Sequence, residues 1–314
     1  LQKINWKHGL KSGWKTALEL SKVVFPIAFL VHIAKHTAIL AWLAELVAPL
    51  MSWFGLSGEA AIPLVLGNVL NLYAALGAIA ALDLTVKQAF ILAIMLSFSH
   101  NMFIETALCR KVGVAVWIPV LVRGGLAVLS GLVVNAFWQG GSGRAAIDLI
   151  ASEQASYSTG WWEIFISAIW TASEGILQFV VIIIPLTLFL QALKDLHVLD
   201  RIAVWISPLL KPFEIAKEGS ITMASGLLAG LFLGAGLIIQ QAKEYNLSRR
   251  DITLIIVFLA ACHAIIEDTV IFIPLGIPVY YLLLIRFVAA VLLTFAVAQI
   301  WRRPAPRYAT SHHG

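Results

Sequence analysis

Two otherwise apolar stretches carry the residues best able to do chemistry. HNMFIETAL holds His100, Asn101, Glu105 and Thr106; HAIIEDTV holds His263, Glu267, Asp268 and Thr269. The next apolar run after each holds one arginine, Arg123 or Arg286. An ionisable side chain in a lipid span costs roughly 2.5–3.5 kcal/mol, so such groups face a partner or a wet cavity. Imidazole titrates near neutral pH, which suits proton coupling, and its neutral form ligates divalent metals.

The spacing predicts two acid–arginine pairs. If the chain turns near Gly113, Glu105 lies eight residues before the turn and Arg123 ten after it. At 1.5 Å per residue their depths agree to about 3 Å. The same arithmetic around Gly276 sets Asp268 beside Arg286. Each pair either neutralises itself and pins its hairpin, or tunes a site made of the remaining polar groups. Asn101 and Glu105 are four apart, as are His263 and Glu267, so each couple would share a helix face. His100 and Glu105 are five apart, about 140° on an intact helix. They converge only if the segment breaks near Asn101; otherwise they serve different neighbours. A buried histidine in a satisfied core is the plainer reading, set against two of them at matching positions.

The elements that position these groups are membrane helices. Of 314 residues, 60% are hydrophobic and 12% charged, with a mean hydropathy of +0.90. Soluble domains carry about 25% charged residues. A soluble enzyme, a disordered chain and a nucleic-acid binder are therefore excluded. About 20 apolar residues cross a bilayer. Such runs lie near 15–34, 38–52, 60–82, 86–108 and 112–137, then 161–193, 198–210, 220–241, 251–275 and 277–301. The expected fold is an all-α polytopic membrane protein of about ten segments. The second segment of each set is short, and either crosses or lies at the interface. Residues 15–137 form a first repeat, 138–160 a polar external linker and 161–301 a second repeat. With all ten segments crossing and the N-terminus inside, the inner ends carry 14 Lys and Arg against 5 outside. That bias places both termini in the cytoplasm and the protein in the inner membrane. The first 22 residues are amphipathic and Lys-rich, with no short apolar core, so no cleavable signal is expected.

The two sets repeat each other. At an offset of 163, residues 84–123 align without gaps on 247–286. His100 falls on His263, Glu105 on Asp268, Thr106 on Thr269, Gly113 on Gly276 and Arg123 on Arg286. At an offset of 159, Pro26 falls on Pro185, Phe54 on Phe213 and Gly67 on Gly226. Apolar letters match cheaply by chance, but His, acid, Thr, Gly and Arg at fixed spacing do not. With five spans per copy the second copy enters upside down. Inverted repeats place solute sites near the midplane, at the repeat interface. The third segments, PLVLGNVLNLYAALGAIAAL and ASGLLAGLFLGAGLIIQQ, are rich in small residues. Gly67, Asn68, Asn71, Gly226 and Gly230 either pack helices closely or break them and free backbone groups.

Other polar groups near the spans have plainer readings. His32 and His36 are four apart but make a poor metal site without further ligands. Glu45 and Glu174 sit either at the cavity or at an interface. Cys109 and Cys262 lie apart in apolar runs, with no disulfide framework or CxxC signature. No Gly-rich nucleotide loop, HExxH or nucleophile–base couple is readable, so neither ATP hydrolysis nor intramembrane catalysis is expected.

This pattern resembles the nucleoside-recognition, or Gate, domain family, which includes the paired gates of ferrous iron transport protein B and the spore maturation proteins A and B. The duplication carries the resemblance, with Pro26 and Pro185 as helix starts, GLSGEAAIPLVLGN, GSITMASGLLAG and the two polar fourth segments. It covers residues 15–301 and implies an inverted-repeat membrane protein tied to solute or ion movement. The expected function is alternating-access transport of a small polar or ionic solute, coupled to protons or cations through His100, Glu105, His263, Glu267 and Asp268. A membrane scaffold whose acid–Arg pairs are structural is the alternative. No cofactor is expected, and a bound metal is left open. The expected partners are the bilayer, the solute and a second copy in a homodimer, with no nucleic acid.

Overall fold

The structure is a computed structural model. It describes residues 4–145, 160–196, 201, 204–205, 208, 211–216, 219–220, 222–224, 226–228, 230, 244 and 247–301. Most of the short segment at 198–210 and much of 220–241, including Gly234 and Gly236, lie outside the described residues, as does 146–159 of the linker. Among the described residues every regular element is helical, and one isolated bridge joins Thr85 to Arg144.

Helix α1 (Trp6–Ala34) packs along α8 (Trp161–Asp195). Pro26 and Pro185 lie inside these helices rather than at their starts, which corrects the sequence reading. An internal proline removes one hydrogen bond of the helix without ending it where neighbouring helices support the turn. Helix α2 (Ala38–Ser52) has 15 residues. At 1.5 Å per residue it is about 22 Å long, short of the roughly 30 Å hydrocarbon core. Its Trp42, Leu46 and Leu50 are exposed.

The third and fourth segments of the first half are each broken in two. A 3-10 turn (Gly58–Ala60) leads into α3 (Ala61–Val69), which stops at Leu70. Asn71 turns extended, and its Oδ1 accepts the Ala74 N–H at 2.9 Å, capping α4 (Leu72–Ala80). A side-chain acceptor at that position satisfies an N–H that would otherwise be orphaned. Helix α5 (Val86–Ser99) starts with a Thr85–Gln88 capping box and is buried almost all round. It ends at His100 because Asn101 takes a left-handed backbone, φ 52°. Helix α6 (Met102–Lys111) then runs on to a turn at Gly113, and α7 (Trp117–Phe137) follows. In the second half α9 (Arg249–Ala261) stops before Ala264, at φ 41°. A short α10 (Glu267–Val270), a 3-10 turn (Ile273–Leu275) and Gly276 at φ 63° lead into α11 (Val279–Ile300).

Of the two alternatives for the segments at 60–82, 86–108 and 251–275, the structure has the broken one, and the break near Asn101 is the condition under which His100 and Glu105 converge. Among the described residues, three stretches are long and apolar enough to cross a membrane: Val86–Lys111 with its internal break, Trp117–Phe137 and Val279–Ile300. Leu121, Leu129 and Val133 on α7, and Leu284, Val288 and Leu292 on α11, are exposed. An apolar surface of this kind suits lipid as its solvent.

Left-handed residues recur at the offsets of the sequence repeat. Gly55 matches Glu214 at 159; Asn101 matches Ala264, and Gly113 matches Gly276, both at 163. Few L-residues adopt positive φ, so three matched positions mean that the same turns occur in both halves. The first residues of the linker are tied down. Ala145 N–H donates to Leu84 O, Val86 N–H to Gly143 O and Lys87 N–H to Gly141 O. Asp83 pairs with Lys35 at 3.2 Å and with Arg144. Burial pushes the Asp83 carboxyl up, but Lys35 and Arg144 outweigh it and hold it below its ordinary 3.8.

Candidate functional site

The two breaks meet in one buried cluster. His100 caps the C-terminus of α5, and its Nδ1 lies 2.8 Å from Leu96 O. His263 stands just beyond α9, with Nδ1 2.8 Å from Leu259 O. A carbonyl only accepts, so each Nδ1 carries a proton and each ring turns its Nε2 the other way. The rings face each other at 5.3 Å between centroids.

Both acids sit against those Nε2 atoms. His100 Nε2 is 3.7 Å from Glu105 Oε1 and 3.8 Å from Asp268 Oδ2. His263 Nε2 is 3.3 Å from Glu105 Oε2 and 3.6 Å from Asp268 Oδ2. Each acid thus reaches the histidine of the other half as well as its own. All four residues are buried, and His263 Nε2 has no hydrogen-bond partner. The centre of the cluster is two imidazole Nε2 atoms facing two carboxylates.

The arginines close the cluster from behind. Arg123 Nη1 donates to Glu105 Oε2, and Nη2 to the His100 carbonyl. Arg286 Nη2 donates to Asp268 Oδ2 at 3.0 Å and to the His263 carbonyl at 2.7 Å. Both guanidiniums are fully buried. Breaking a helix frees carbonyls that lipid cannot satisfy; here a guanidinium takes one in each half. Two cations and two carboxylates sum to zero while both imidazoles are neutral.

The third segments supply the complementary acceptors. Asn101 N–H donates to Gly67 O at 2.8 Å, and Ala264 N–H to Gly226 O at 3.4 Å. A Cβ on Gly67 would lie 2.4 Å from Leu96 Cδ2, and one on Gly226 2.3 Å from Leu259 Cδ1. Glycine lets one backbone reach the break in the other, so close packing and presentation of a carbonyl are one device here.

The structure therefore brings together His100, Glu105, His263 and Asp268, with Arg123 and Arg286 behind them. It sets the other expected residues apart. Asn101 is the left-handed residue at the break and does not share a helical face with Glu105; its Oδ1 is buried without a partner. Glu267 and His263 share no continuous helix, because α10 begins at Glu267 itself. Glu267 Oε1 instead accepts the Tyr73 hydroxyl at 2.8 Å. Asn68 turns back to Leu64 O at 2.7 Å, and Asn71 is spent on its cap. Gly230 has φ 75°, with His263 Cδ2 3.8 Å from where its Cβ would stand. Glu45 is exposed and Glu174 half-buried. The His32 and His36 rings lie 5.7 Å apart. Among the described residues, His100, Glu105 and His263 form the one group of three whose ligand atoms all lie within 4.8 Å of one another.

Tyr73 escaped the sequence reading. Its aligned partner in the second half is Phe232, so the repeat gave no polar match to mark it. Its place two residues after Asn71, the cap of a broken helix, was the available signal.

A family model described as "Nucleoside recognition", the Gate domain, matches residues 17–116 and 176–295. The chain is 47% identical over 298 residues to the uncharacterized membrane protein YvoD of Bacillus subtilis (strain 168), covering 95% of each chain. No solved structure matches it. The family match over most of the chain, together with that membrane-protein relative, places the chain in the Gate family of membrane proteins.

Proposed function

We propose that the protein is a transporter that moves a small polar or cationic solute across the cell membrane by alternating access. The two repeats are inverted, and the cluster between them is the solute site. One observation carries this reading: His100 and His263, one from each repeat, face each other at 5.3 Å with both acids against their Nε2 atoms. Two related halves that exchange conformations around a fixed site give outward-open and inward-open states from one fold. Broken helices in the bundle give each half a hinge and free backbone groups. Both termini are cytoplasmic, a second copy completes a homodimer through the short second segments, and no bond in the solute is made or broken.

Flux into liposomes tests this. Wild-type protein should carry solute, and His100→Ala/His263→Ala should remove the flux while the protein still elutes as a single species. Flux that survives loss of both histidines overturns the role of the cluster.

A scaffold reading rests on a different observation. Each arginine already satisfies one acid and one broken-helix carbonyl, which is what a purely structural staple would do. No measurable wild-type flux for metals, nucleosides or zwitterions, together with loss of fold in Glu105→Gln and Asp268→Asn, favours it.

A further inference from the structure

We infer that the solute of this site is a first-row divalent transition metal. His100 Nε2, His263 Nε2 and a Glu105 carboxylate oxygen bind it, and Asp268 stands beside the open position. The inference rests on the transport reading above and names its cargo.

The first argument is convergence. The three ligand atoms lie within 4.8 Å of one another, at full burial. His263 Nε2 is 3.3 Å from Glu105 Oε2, and His100 Nε2 is 3.7 Å from Glu105 Oε1. Donors around a tetrahedral zinc, at about 2.0–2.1 Å from it, stand about 3.3 Å apart. Asp268 Oδ2 lies 3.8 and 3.6 Å from the two nitrogens, within a small movement of the fourth position.

The second argument is preorientation. Metal-binding histidines are held by a hydrogen bond from the other ring nitrogen to a carbonyl or carboxylate. Both rings have it, at 2.8 Å to Leu96 O and Leu259 O. The same bond turns each Nε2 toward the acids. His263 Nε2 is buried with no hydrogen-bond partner, and a metal ion is a partner that would satisfy its neutral form.

The third argument is selectivity. Two imidazoles and one or two carboxylates suit zinc-like ions. Calcium takes six to eight oxygens, and magnesium keeps a near-octahedral oxygen shell; this site offers neither. The arginines already offset both acids, so a divalent ion adds charge that nothing neutralises. That limits residence and suits an ion that is passed on rather than kept.

The test is titration of the purified full-length protein in detergent with Co²⁺, which absorbs visibly in a four-coordinate nitrogen and oxygen site. One Co²⁺ per chain is expected, displaced by Zn²⁺ and unmoved by a hundredfold excess of Mg²⁺. His263→Gln should weaken it at least tenfold, and His100→Ala/His263→Ala should abolish it. His32→Ala/His36→Ala should leave it unchanged. Wild-type protein that takes up no Co²⁺ overturns the inference, whatever the variants do. So does uptake that persists in His100→Ala/His263→Ala or disappears in His32→Ala/His36→Ala. Liposome flux separates the two proposals. Histidine-dependent Co²⁺ binding without flux of any solute keeps the metal centre and overturns transport. Histidine-dependent flux of an uncharged solute, with no Co²⁺ binding, overturns the metal and keeps transport.

Discussion

The two helix breaks do the same work with different residues. In the first half the left-handed position is Asn101, a residue that tolerates such a backbone; in the second it is Ala264, which does not. The first break is followed by a ten-residue helix, Met102–Lys111, the second by a four-residue one, Glu267–Val270. Ile104, aligned with Glu267, is exposed, whereas Glu267 holds Tyr73 of the other half. What stays fixed is the histidine, the acid, the arginine and the small residue across from the break. The parts that satisfy buried charge and freed backbone are alike in the two halves, and their surroundings differ. The second half carries the strained turn and the cross-repeat hydrogen bond, so it is the less regular partner.

Loss of an arginine is the hardest test of this equivalence. Arg123→Ala and Arg286→Ala should each lower stability by about 3–5 kcal/mol, because a buried carboxylate is left unpaired. Thermal unfolding in detergent reads this, and tolerance of one loss but not the other breaks the comparison. Next come Gly67→Ala and Gly226→Ala, each expected to cost about 1–3 kcal/mol through overpacking against Leu96 or Leu259. In a double-mutant cycle, Leu96→Ala should offset part of the Gly67→Ala cost, and simple additivity would show that the contact is not tight. A smaller effect sharpens the difference between the halves. Ala264→Gly should raise stability by up to about 1 kcal/mol by relieving the left-handed turn, while Asn101→Gly should change little.

The smallest expected effect lies at the end of the bundle. Asp83 has Asn246 as its aligned residue in the second half. Its carboxyl is held below 3.8, so the stability it adds is present above that pH and is lost as pH falls through the lower folded value. Asp83→Asn should cost about 0.2–1 kcal/mol near neutral pH, as exposed ion pairs do. The gap between variant and wild type should close in acid; a gap that widens there would show that Lys35 and Arg144 do not hold the charge.

Much of the site was legible because membrane insertion makes buried charge rare. His100, Glu105, Arg123 and their aligned partners stood out against an apolar background, and counting from Gly113 and Gly276 paired each acid with its arginine. Helical spacing alone misleads next to a break: it gives Asn101 and Glu105 one face, and likewise His263 and Glu267, where the structure has none. Pro26 and Pro185 also mislead as apparent starts, when neighbouring helices carry the chain straight through them.

The sequence by itself determined an all-helical membrane protein and the pairing of like-spaced charges, because lipid penalises unpaired charge and open backbone wherever they fall. The tertiary structure decided that each acid also faces the other half's histidine, that Tyr73 holds Glu267, and that both imidazoles turn Nε2 into the cluster. Those outcomes depend on where two helices stop. The stopping points are set by a left-handed residue whose N–H finds a glycine carbonyl on a separate segment, and no local pattern encodes that partner.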